Sequence, residues 1–103
     1  SRFFNHLLQH LDALVPSDNL VVEGTAYCLA APGREYAVYS PTGDRFSLDL
    51  GHLAGRSAVA TFYDPATGQA RPPITMNRTD THQVFVKRDN SDWALHLQVG
   101  ERD

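Results

Sequence analysis

The sequence predicts an all-β fold: an antiparallel β-sandwich of about seven strands with one N-terminal amphipathic helix. Three observations predict it. From Leu20 onward the apolar residues recur at every second position, the period of a half-buried strand. Clusters of Gly, Pro, Asn, Asp and Ser interrupt those runs at short intervals, as tight connections require. Only the opening residues carry the longer period of a helix.

In "SRFFNHLLQHLDALVP" the apolar residues Phe3, Phe4, Leu7, Leu8, Leu11, Leu14 and Val15 fall on one wide face. Pro16 ends the predicted helix, because the residue before a proline is pushed out of helical geometry. Residues 1–16 are therefore read as a helix leading from an upstream domain, and 17–103 as the sandwich. The chain opens at Ser1 inside that helix, without a basic leader or cleavage site, so it is expected to be a piece of something longer.

Strands are expected at 25–31 "TAYCLAA", 35–40 "EYAVYS", 45–50 "RFSLDL", 57–63 "SAVATFY", about 69–76 around "QARPPITM", 82–87 "HQVFVK" and 92–99 "DWALHLQV". Alternation assigns Phe46, Leu48, Leu50, Trp93, Leu95, Leu97 and Val99 to the core. Ser47, Asp49, Ala94, His96 and Gln98 then point the other way. Pro72 and Pro73 cannot donate ladder hydrogen bonds, so their strand is expected at an edge. In "TFYDPATGQA", Asp64 suits a turn cap, Pro65 pre-sets φ and Gly68 accepts a positive φ, so the stretch reads as a hairpin corner.

Composition narrows function by exclusion. The chain has 103 residues, 42% of them hydrophobic and 20% charged, enough for one core. Its formal charge is −3, with three basic and six acidic residues in 1–50 and six of each in 51–103. No basic face favours nucleic acid, and charged or turn residues interrupt every apolar run that could span a bilayer. The lone Cys28, set among small and apolar residues, reads as a buried structural thiol.

The chemistry-bearing residues do not assemble into a catalytic pattern. Asp44 and Asp64 occupy turn positions and Asp49 lies on a polar strand face, which does not make the paired acids of a glycosidase. His6 and His10 share one helix face, but no glutamate stands between them as in HExxH and no third ligand is nearby. His52, His82 and His96 are scattered. A GxSxG elbow is absent, and the Asn77–Thr79 triplet matches a glycosylation sequon that matters only in a eukaryotic secretory route. No metal or cofactor is expected. Tyr39, placed opposite Tyr36 and Val38 by alternation, and Asp49 remain as candidate ligand-binding residues.

Four stretches taken in order carry a family resemblance: "LVPSDNLV" at 14–21, "YCLAAPGREYAVYSPTGDRFSLDLGHLAGR" at 27–56, "ATFYDPATGQ" at 60–69 and "DWALHLQ" at 92–98. Together they resemble the β-sandwich family labelled "putative collagen-binding domain", which follows a TIM barrel in apiosidase-like bacterial glycoside hydrolases. The family's aromatic-DPxTG hairpin matches Phe62, Tyr63, Asp64, Pro65, Thr67 and Gly68, and its closing strand matches Asp92, Trp93, Leu95 and Leu97. The stretch 70–91 is longer and more polar than the family pattern.

This resemblance implies a non-catalytic accessory domain that packs on and stabilises the barrel, whose own residues carry the catalytic carboxylates. It implies an upstream TIM-barrel partner in the same chain and an extracellular or periplasmic location. The alternative is a stand-alone module that binds polysaccharide or a collagen-like protein.

Overall fold

The computed structural model describes residues 14–77 and 81–100. Among these, nine strands form two antiparallel sheets. In chain order they are β1 (Val15–Pro16), β2 (Val21–Glu23), β3 (Tyr27–Ala31), β4 (Glu35–Ser40), β5 (Arg45–Asp49), β6 (Ala58–Tyr63), β7 (Ile74–Met76), β8 (His82–Val86) and β9 (Trp93–Val99). The larger sheet runs β1-β3-β4-β9-β6-β7 and the smaller runs β2-β5-β8. The connections at Asp18–Leu20 and Gly51–Leu53 are short 3₁₀ turns.

The expected sandwich is present, and all seven expected core residues are buried, from Leu48, Leu50, Leu95 and Leu97 at 0% exposure to Trp93 at 8%. Aromatic rings join the two sheets. Phe46 on β5 stacks on Phe85 of β8 at 5.6 Å between centroids and meets Phe62 of β6 edge-on at 6.4 Å. Phe62 in turn meets Trp93 of β9 at 6.3 Å. Edge-to-face and offset pairs are the favourable geometries of aromatic quadrupoles.

Three expectations about elements are corrected. The predicted helix over 1–16 lies outside the described residues as far as residue 13, but its last residues are not helical. Val15 and Pro16 pair with Ala30 and Leu29 of β3. Pro16 is tolerated there because β1 is an edge strand, where the missing N–H breaks no ladder. The short β2, which the alternation did not resolve, pairs with β5 through a register shift between Val21 and Glu23. Finally, the strand expected over about 69–76 contracts to β7, an edge strand that begins just after Pro73, with one isolated bridge from Ala70 to Tyr63. The two prolines set where pairing can start.

Alternation assigns the outward faces correctly but does not foresee burial on them. Ala94 is 0% exposed and Ala37 6%, although both point away from the interior shared by the sheets, and Tyr63 packs against them. Ser47, on the outward face of β5, is buried as well. Lys87 is buried at the end of β8, its Nζ donating to the Ser40 carbonyl at 3.3 Å and the Thr42 carbonyl at 3.1 Å. Burial lowers its pKa below the usual lysine value.

Candidate functional site

The antiparallel order brings the connection 24–26 after β2 to one end of the sandwich together with three others: 41–44 after β4, 64–73 after β6 and 87–92 after β8. The one after β6 begins with the "DPATG" corner. The Asp64 Oδ1 accepts from the Ala66 N–H at 2.9 Å, its carbonyl accepts from the Gly68 N–H at 2.7 Å, and its N–H donates to the Gln69 carbonyl at 3.0 Å. Thr67 Oγ1 accepts from the Gln69 N–H at 3.1 Å, and Gly68 has φ of 75°. The stretch is thus the self-capped hairpin corner that its residues predicted.

Beside that corner lies a cleft of about 290 Å³, lined by Asp64, Gln69, Ala70, Arg71, Pro72, Arg88 and Trp93. Its two walls are anchored separately. The Arg71 N–H donates to the Phe62 carbonyl at 2.9 Å, and the Lys87 N–H donates to the Asp44 carbonyl at 2.7 Å. Asp89 fixes the third side, because its carboxylate accepts from the Trp93 indole Nε1 at 2.9 Å and from the Ser91 N–H and hydroxyl. The Ser91 hydroxyl and then the Trp93 indole hold the Asp89 carboxyl at about 2, well below its ordinary value.

Tyr39 stands at the same end, on the outward face of the larger sheet as alternation predicted. Its strand position pairs with Tyr27 on one side and Ala94 on the other, and Ala94 pairs with Tyr63. A row of three tyrosines therefore crosses the sheet, and Tyr27 is 57% exposed. The Tyr39 hydroxyl donates to Asp92 Oδ2 at 3.2 Å. Lost hydration, and then that carboxylate, raise the phenol's pKa.

Asp49 is on the other sheet. Its Oδ1 accepts from the Gly51 N–H at 2.9 Å, capping the 3₁₀ turn that follows β5. The two candidate ligand-binding residues are not brought together. His6 and His10 lie outside the described residues, while the other three histidines have separate neighbours. His52 Nε2 contacts the buried Tyr36 hydroxyl at 2.5 Å, His96 Nε2 contacts Glu35 Oε1 at 2.8 Å, and His82 pairs across the ladder with Asp49. Among the described residues no group of three or more His, Cys, Asp or Glu is placed to hold a metal ion. Cys28 is buried, and burial, reinforced by the charge of Asp18, pushes its thiol up to about 12.

Sequence reasoning missed Arg71, Arg88 and Gln69 as neighbours. The available signal was the polar stretch between the corner and β9, which holds both arginines.

Comparison with known proteins agrees with this architecture. A solved glycoside hydrolase superposes with a TM-score of 0.77 at 16% identity, covering 98% of this chain and 25% of its own. A glycoside hydrolase family 5 protein from Bacteroides vulgatus ATCC 8482 superposes with a TM-score of 0.68 at 16% identity, covering 90% of this chain and 23% of its own. The chain thus spans about a quarter of these proteins, and at such identity the likeness concerns the fold. No curated protein matches the sequence significantly. No helix among the described residues is long and apolar enough to cross a membrane. Residues 14–98, nearly the whole of the sandwich just described, match the family whose description reads "Putative collagen-binding domain of a collagenase", and the chain belongs to that family.

Proposed function

We propose that this chain is the non-catalytic C-terminal sandwich of a bacterial glycoside hydrolase-like protein, packing on and stabilising an upstream TIM barrel. The observation that carries this reading is the asymmetry of coverage: the sandwich matches almost its entire length to about a quarter of a longer glycoside hydrolase chain. In this reading the residues before β1 join the barrel to the sandwich, whose first strand takes in Val15 and Pro16 that the sequence had assigned to the connector, and the parent acts on glycans outside the cytoplasm.

Side-chain chemistry supports an accessory role. A glycosidase general acid needs a carboxyl raised toward neutrality by an apolar or negative environment. Two of the described carboxyls, Asp44 and Asp89, move the opposite way, down, held by Arg45 and by Ser91 with Trp93 respectively.

The test compares the parent protein with a version lacking the sandwich, by calorimetry and by glycan hydrolysis. The expected result is one joint thermal transition in the parent, a lower barrel Tm after deletion, and residual hydrolysis by the folded barrel. Two independent transitions, with an unchanged barrel Tm after deletion, would overturn the reading.

A further inference from the structure

We propose that the cleft between the DPATG corner and the β8–β9 connection is a saccharide-binding site that takes an acidic sugar, a uronic acid residue, by its carboxylate. Arg71 and Arg88 reach it from walls that are anchored independently, and neither is ion-paired among the described residues. The repulsion between two like charges lining one concavity is offset only in part by Asp64 in the same lining and by Asp89 next to Arg88, and a carboxylate between the two guanidinium groups relieves the remainder. Guanidinium groups match a carboxylate in shape, each offering a planar fork of donors.

The remaining lining chooses among anions. Asp64 Oδ1 is committed to the Ala66 N–H, which leaves the other carboxylate oxygen as an acceptor for a hydroxyl. That negative charge opposes a dianionic phosphate or sulfate but suits a monoanion bearing several hydroxyls. Gln69 adds a donor and an acceptor. The volume, about 290 Å³, is at the small end of ligand sites and fits part of a glycan chain, not the surface of a folded protein. The exposed Tyr27 beside Tyr39, at the same end of the sandwich, offers aromatic surface for a neighbouring sugar.

This proposal does not depend on whether the sandwich docks on a barrel. It is tested by calorimetric titration of the 103-residue chain with tetragalacturonic acid, its methyl ester, neutral xylotetraose and a poly-aspartate peptide, alongside Arg71→Gln and Arg88→Gln. Binding of the acidic oligosaccharide alone is expected, weakened about tenfold or more by either substitution, since each removes a charge-assisted hydrogen bond to the carboxylate. Both arginines are exposed, so the variants keep the parent's thermal melt. Equal binding of the ester or xylotetraose overturns the acidic specificity, and equal binding of poly-aspartate overturns the saccharide. No titratable binding of any probe, or binding indifferent to both substitutions, overturns the site.

Discussion

Gly24 is held by the backbone packed against it, and Cys28 by the apolar surroundings of its thiol. Gly24 has φ of +82°, and a Cβ there would stand 2.6 Å from the Arg45 carbonyl oxygen and 3.0 Å from the Phe46 Cα. Both neighbours are backbone of β5, so they cannot step aside. Gly24→Ala is therefore expected to cost more than about 2 kcal/mol in urea unfolding, combining the left-handed strain with the clash. Cys28 is constrained by its surroundings instead. Its thiol is pushed up to about 12 by burial, against an ordinary value of 9.0. Between those values the folded state holds a proton that the unfolded chain releases, so the contribution is full below pH 9 and fades as pH rises toward 12. Urea melts should therefore show the stability advantage of the chain over Cys28→Ala shrinking from pH 9 upward. An advantage that grows with pH would refute the assignment, as would rapid alkylation of the native thiol at pH 8.

At the scale of elements, the β6–β7 corner shows how little sequence a turn needs. Asp64→Ala removes the acceptor for the Ala66 N–H and should cost about 1 kcal/mol, whereas Asp64→Asn, which keeps an acceptor oxygen, should cost much less. Chemical denaturation of both variants checks the difference. The corner was legible because Asp, Pro and Gly each act on their own backbone, and the strands carrying Phe46 to Leu50 and Trp93 to Val99 were legible because one apolar interior imposes a strict period of two. The edges were not. Val15–Pro16 is two residues long and Val21–Glu23 three, of which only Val21 and Glu23 pair across a shifted register, too short for any period to appear. The outward burial of Ala37 and Ala94 was hidden for another reason, since alternation assigns a side to each residue but not what lies over that side. Tyr39 was placed on its correct face by the same rule, yet its hydrogen bond to Asp92 joins residues far apart in sequence. The cleft was least legible of all. Arg71 and Arg88 belong to different connections, and only the pairing of β6 with β9 and of β5 with β8 sets where those connections emerge.

For the molecule as a whole, the decisive question is whether its two sheets unfold together. The smaller sheet has only three strands, one of them three residues long with a shifted register, and it is held to the larger by the shared interior and by the buried Lys87, whose Nζ donates to the Ser40 carbonyl of β4. Its attachment runs through Phe46, which is 1% exposed, stacks on Phe85 within its own sheet and meets Phe62 of the other. Truncation to Ala removes both contacts and leaves a cavity between the layers, so Phe46→Ala should cost about 3–5 kcal/mol. Because the interior is common, that loss should appear equally in both sheets. Trp93 fluorescence reports on the larger sheet and amide exchange of the β8 residues on the smaller, and in Phe46→Ala both should lose the same free energy. A double-mutant cycle of Phe46→Leu with Phe62→Leu should return a coupling of roughly 0.5–1.5 kcal/mol, the range of an aromatic pair. If instead β8 exchange accelerated while the Trp93 transition stayed in place, the smaller sheet would be an independent flap. The cleft, whose walls come one from each sheet through β6 and β8, would then lose its fixed width, so joint unfolding is the condition for a preformed site at that end.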